Sequence, residues 1–225
     1  MKKFKQYIII TTAFMLAGTI AYAQAINWSS LEKENRHTIN LKLGMEHGTV
    51  FGIGYGYNIQ NKWIPVITQV EYSFPSGTEL FDDFKTKIGA QVRWFQLGEV
   101  QFSTGIHGVF RRYENDLVRI VNFGSDFSAV VGYYKNNWFA AAQGGFDKAI
   151  VSHFKHAQSY KDQYPGVQNG WYEPSVGGNF YYGVQGGYSF KNQNIYLKAG
   201  KMISQDLSTK PTIPYYGELG YNVNF

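Results

Sequence analysis

From residue 39 to residue 225, apolar and polar residues alternate with a period of two in segment after segment, and no stretch sustains the 3.6-residue rhythm of a long helix. Ten segments carry the alternation. The first has Ile39, Leu41, Leu43 and Met45 on its apolar face, and the others run over 51–59, 64–74, 84–94, 100–110, 121–133, 138–146, 180–190, 195–201 and 215–225. The composition suits strands, with 18 Tyr, 17 Phe and 25 Gly. A mean hydropathy of -0.30 conceals the pattern, because averaging along a strand cancels its two faces.

Charge separates the faces further. The apolar set carries one charge, Lys201, near a segment end, whereas the interleaved set carries Lys42, Glu71, Lys85, Lys87, Arg93, Asp126, Lys198 and Glu218. Connections alternate as well: 58–62, 96–99, 135–137 and 191–194 are short, and 75–83, 111–120, 147–179 and 202–214 are longer, with 46–50 a short exception. Short turns at one end and long loops at the other belong to a closed antiparallel barrel that faces lipid outside and holds its polar residues inside. The expectation is therefore an all-β, up-and-down transmembrane β-barrel of about ten strands, with eight as the alternative. Hairpins closing symmetrically about their loops would set Glu71 opposite Lys87 and Lys198 opposite Glu218. Opposite charges facing across a pair stabilise it. In so narrow a barrel they point to a lumen filled by a charge network, a thin conduit being the alternative.

The two ends give the location. Residues 1–23 combine basic Lys2, Lys3 and Lys5, an apolar run and the small-residue site Ala21-Tyr22-Ala23, the layout of a secretory signal peptide. A short periplasmic segment, 24–35, would then precede a barrel over 36–225 as the one mature domain. Removing the three lysines takes the basic side chains from 21 to 18 against 16 acids, a balance that gives no reason to expect nucleic acid. There is no cysteine for a disulfide or a lipid anchor. At the other end Leu219, Tyr221, Val223 and Phe225 share one parity and finish on an aromatic residue. Here the chain resembles the bacterial outer-membrane β-barrel superfamily. The resemblance implies an integral outer-membrane protein whose last strand is read by the barrel-insertion machinery and whose surroundings are outer-membrane lipid and lipopolysaccharide.

The most individual stretch is 147–179, expected as a long outer loop. It offers Asp147, Ser152, His153, His156 and Glu173 as candidate catalytic groups, since His beside Ser or an acid can act as general base. Enzymes of the same superfamily, omptin proteases and lipid A hydrolases, work at the outer rim. Ser152 and His153 are adjacent, however, so in extended chain they would point opposite ways. His153 and His156 would share a face only if the segment were helical, and with no third ligand in view no metal is expected. Nor is a cofactor. The aromatic residues of the loop suit a protein or glycan partner, and Arg111 and Arg112 on a neighbouring loop suit the anionic leaflet. The expected role is non-catalytic: structural, accessory or surface-binding. A rim enzyme and a narrow selective channel are the alternatives. Cleavage after Ala23 is expected to leave Gln24 as the first residue; the intact mass of the membrane-extracted protein checks this, and a chain that keeps residues 1–23 contradicts it.

Overall fold

The computed structural model describes residues 25–31, 35–45, 49–59, 61, 63–76, 83–174, 177–207 and 213–225. The signal segment with Ala21 and Ala23, and the tip of the first hairpin, lie outside the described residues. Ten long strands close on themselves. They are β1 (His37–Met45), β2 (Thr49–Ile59), β3 (Val66–Pro75), β4 (Asp83–Leu97), β5 (Val100–Glu114), β6 (Val118–Tyr134), β7 (Trp138–His156), β9 (Gly178–Phe190), β10 (Gln193–Ser204) and β11 (Tyr215–Asn224). A short helix, α1 (Gln158–Gln163), and a three-residue strand, β8 (Gly170–Tyr172), lie between β7 and β9. Every strand pairs antiparallel with its neighbour in sequence, β7 with β9, and β1 with β11 to close the barrel; β8 adds to β7 above β9. The architecture is thus a closed ten-stranded up-and-down barrel with one extra strand, and not the eight-stranded alternative.

Local sequence sets the tight ends. The β4–β5 hairpin closes through Gly98 and Glu99, and Gly98 has φ +61°, the left-handed region a two-residue turn demands and glycine enters at no steric cost. Lys191, at φ +54°, opens the equivalent turn between β9 and β10.

Amphipathicity is inverted relative to a protein folded in water. Facing out are Ile88 at 66 % exposure, Ile106 at 63 % and Leu197 at 59 %, while Asn40, Asp126, Lys198 and Lys87 are buried inside. An apolar exterior on this scale is unstable in water and stable in hydrocarbon. Aromatic contacts mark both edges of that exterior. Toward the long-loop ends of the strands a near-continuous row runs through Phe51, Phe74, Tyr72, Phe84, Phe110, Phe123 and Trp171. On the turn side, Tyr133–Trp138, Phe95–Phe102 and the group of His37, Tyr55, Tyr57 and Phe225 form the second girdle. Paired aromatic girdles around an apolar band are the signature of a barrel that crosses a membrane.

Three expectations change in detail. Strand β4 continues to Leu97 through a bulge at Trp94, which leaves Trp94 and Phe95 both exposed on the outside. The 111–120 connection shrinks to a tight turn, because β5 runs to Glu114 and β6 starts at Val118. Likewise residues 147–156, expected within the long loop, continue β7 in register with β6, with Ile150 bulged outward. Beyond the girdle no apolar face is required, so the alternation that identifies membrane strands stops while the hydrogen-bond ladder goes on. Strands β5 to β7, capped by β8, form a wall raised above the rest of the rim. Ile88→Arg, midway along the outward face of β4, is expected to lower unfolding free energy by about 2 to 4 kcal/mol; urea titration in lipid vesicles checks it, and an unchanged midpoint would contradict a lipid-facing exterior.

Candidate functional site

Most of the charged interior residues gather into two networks. In the first, Lys42 on β1 is bonded to Glu71 on β3 and lies 3.5 Å from Glu218 on β11. Lys198 on β10 stands 3.4 Å from the same Glu218, and the Tyr196 hydroxyl donates to it at 2.9 Å. Asn40 donates to Asn222 at 2.7 Å and to Tyr196 at 3.1 Å. The reach from β1 to β3 passes over β2, and glycine makes it possible: any side chain at Gly52 would overlap the Lys42 stem. Other inward glycines act alike, Gly220 beneath Tyr196 and Gly145 beneath Tyr181. The small residues thus accommodate large neighbours at these positions.

The second network centres on Asp126 on β6. Lys87 on β4 pairs with it at 2.6 Å, and the Tyr181 hydroxyl on β9 donates to it at 2.8 Å. His107 on β5 and Asp147 on β7 face Asp126 from the strands on either side. Gln69 joins the group from β3, accepting from Gln91 at 3.2 Å and meeting His107 Nε2 at 3.3 Å. The registers Glu71–Lys87 and Lys198–Glu218 occur as expected. In the first of these the closest partners differ, because Glu71 is bonded to Lys42 and Lys87 to Asp126. Lys85 is buried in the same lumen. Asp147 belongs to this interior and not to a loop; extending the parity of strand 138–146 by one residue would have placed it there.

The turn end of the lumen is occupied by the chain itself. Residues 25–31, within the segment expected to precede the barrel, fold back into it, with Ala25, Ile26, Asn27 and Trp28 all buried. Ile26 and Trp28 pack with inward-facing Ile67, Tyr134, Phe139, Ala141 and Tyr196. Asn27 donates to the Lys135 carbonyl and to Ser189, both at 2.9 Å, while Gln101 donates to Ser29 at 2.8 Å and Asn222 to the Ala25 carbonyl at 2.8 Å. The Arg93 guanidinium lies 5.7 Å above the Trp28 ring, a cation–π contact. A cavity of about 20 Å³ remains beside Trp28, lined by Gln91, Ser103, Ser128, Gln143 and Tyr181, with room for about one water.

The candidate rim residues are dispersed. Ser152 faces inward and accepts from Asn122 at 2.7 Å, whereas His153 faces outward with its ring 4.8 Å from Trp171. His156 is held by Asn169, which its backbone N–H meets at 2.8 Å, and stacks on Tyr160 at 5.5 Å. Because β7 is a strand here, His153 and His156 fall on opposite faces, so the shared helical face fails. Asp147 lies down in the lumen and Glu173 is exposed after β8. Among the described residues no group of three or more His, Cys, Asp or Glu could hold a metal ion.

No protein-family model matches the sequence, and no curated protein matches it. Among solved structures, a KdgM porin is similar over 84 % of this chain and 99 % of its own, at 10 % identity and a TM-score of 0.41. The beta domain of the Bordetella autotransporter BrkA is similar over 84 % and 98 %, at 12 % identity and a TM-score of 0.36.

Lys42→Met would leave Glu71 and Glu218 short of a buried counter-charge, and it is expected to destabilise the barrel by about 3 to 5 kcal/mol. Adding Glu71→Gln to it, which keeps Glu218 as the counter-charge of Lys198, should recover part of that loss. Urea unfolding in vesicles measures both, and a single variant as stable as the wild type contradicts the network.

Proposed function

We propose that this chain is an integral barrel of the bacterial outer membrane, closed to solutes, whose role is non-catalytic and exercised at its outer wall, as an accessory or surface-binding protein. The observation that carries the reading is the blocked lumen: residues 25–31 close the turn end, and the two ion-pair networks fill the middle. The apolar band between aromatic girdles, the export signal expected over 1–23 and the C-terminal aromatic strand support the placement in the outer membrane. Against a rim enzyme stands the geometry of β7, which turns Ser152 and His153 to opposite faces, so the pair shares no site.

A second reading, a gated narrow channel, is favoured by one feature. The plug is not a strand of the wall, and much of its polar hold is through side-chain hydrogen bonds. A segment held in this way can leave without breaking the barrel. Single-channel recording in planar bilayers separates the two. The mature chain is expected to stay at the lipid baseline, and deletion of residues 24–31 is expected to leave it there, because the Lys42 and Lys87 networks remain. Discrete openings of the mature chain overturn the closed reading, and openings only after the deletion establish the gated one.

A further inference from the structure

The outward face of the raised wall differs from the rest of the exterior. Phe110 and Phe123 face each other across β5 and β6 as part of the outer girdle. One same-face step further out along these strands, about 7 Å, Arg112, Val121, His153 and Trp171 stand side by side in register on four strands. The next step brings Glu114, Arg119 and Lys155 into line. Lys148 flanks the same face from below, opposite Ser125. Glu114 is ion-paired to Arg112, and Glu173 follows β8 nearby. Four cations against Glu114 and Glu173, with Asp116 exposed in the turn above them, still leave this face with a surplus of positive charge immediately beyond the aromatic girdle.

Depth gives that surplus its meaning. An aromatic girdle lies at the membrane–water interface, so side chains one and two steps beyond it occupy the headgroup layer. Guanidinium groups bind phosphate by paired N–H donors, and lysine binds it as a point charge. The girdle aromatics below, Phe110 and Phe123, and the half-exposed Trp171 beside His153 provide apolar surface for the acyl end of the same molecule. We infer that the outward face of β5 to β8 is a binding site for the phosphorylated headgroup of lipopolysaccharide, with Arg112, Arg119 and Lys155 donating to its phosphates and Trp171 packing beside it. The inference rests on the outer-membrane placement proposed above.

The test uses the mature chain refolded in neutral detergent, with bisphosphorylated lipid A and its dephosphorylated form as probes and native mass spectrometry as the readout of lipid bound per barrel. The phosphorylated probe is expected to be retained by the wild type and to fall at least about tenfold in Arg112→Gln/Arg119→Gln/Lys155→Gln. Lys155→Gln alone, at an exposed position that folding does not need, should lower retention about threefold. Lys135→Gln/Lys191→Gln, at the turn end, should change nothing. Equal retention by the wild type and the triple variant, or equal binding of the two probes, overturns the site. Heat-modifiable migration on gels shows that each variant is folded. Fractionation of cells keeps the two claims apart: a wild-type chain absent from the outer membrane overturns placement and site together, whereas a chain present there with unchanged lipid A retention in the variant overturns the site alone.

Discussion

In hydrocarbon no water is available to satisfy a backbone N–H or C=O, so each membrane-crossing strand must have a neighbour on both sides. The seam between the first and last strands meets that requirement here. Strands β1 and β11 pair from Thr38–Asn224 to Met45–Gly217, and reciprocal bonds between His37 and Phe225, both 2.9 Å, extend the seam to the last residue. The rings of those two residues stack at 5.4 Å in the turn-side girdle. Much of the rest follows from closure. Ten strands enclose a narrow space, charges facing lipid are costly, and charges turned inward must therefore find partners within reach of one another.

Size matching makes that possible. Tyr196 fits over Gly220, Tyr181 over Gly145 and the Lys42 stem over Gly52, so large side chains fill a space that ten full-sized inward rows would overcrowd. Glu218 is then reached from both sides, by Lys42 across the seam and by Lys198 on the neighbouring strand. These buried ions add register specificity to the seam. A one-residue slip of β11 would turn Glu218 toward lipid and strip Lys42 and Lys198 of a counter-charge. The interior network is thus best understood as a consequence of closing the barrel that also fixes how it closes.

The strands are legible in the sequence because lipid on one side and a polar lumen on the other impose a strong contrast at every second residue. Neighbour registers are legible for the same reason, as Glu71–Lys87 and Lys198–Glu218 illustrate. Side-chain partnership is not, because Lys42 reaches Glu71 over a strand whose glycine leaves the space open, and arithmetic on adjacent strands is blind to such a crossing. The upper part of β7 is illegible for another reason. Past the girdle the wall meets water or headgroups, and Lys148, Ser152, His153 and Lys155 follow no apolar rule, while the bulge at Ile150 shifts the parity. The plug left a trace that could have been read. Inward positions 67, 139 and 141 carry Ile, Phe and Ala, and each lies near the turn end where Ile26 and Trp28 pack.

The ends of the molecule are consequently unequal. The turn end holds an apolar segment whose polar atoms are matched to turn carbonyls and lumen side chains, and Arg93 lies over Trp28 on the lumen side. The opposite end carries the raised wall, whose backbone is held by continuous ladders through Glu114–Arg119, Val118–His156 and Phe154–Gly170. A binding face built on paired strands keeps its side chains in fixed register, which a mobile loop of the same composition would not. Among the exposed surfaces of the described residues, the wall joins rigid backbone, concentrated charge and aromatic rings at a single depth. That convergence is the ground for proposing the β5–β8 wall, and not the interior, as the seat of this barrel's individual function.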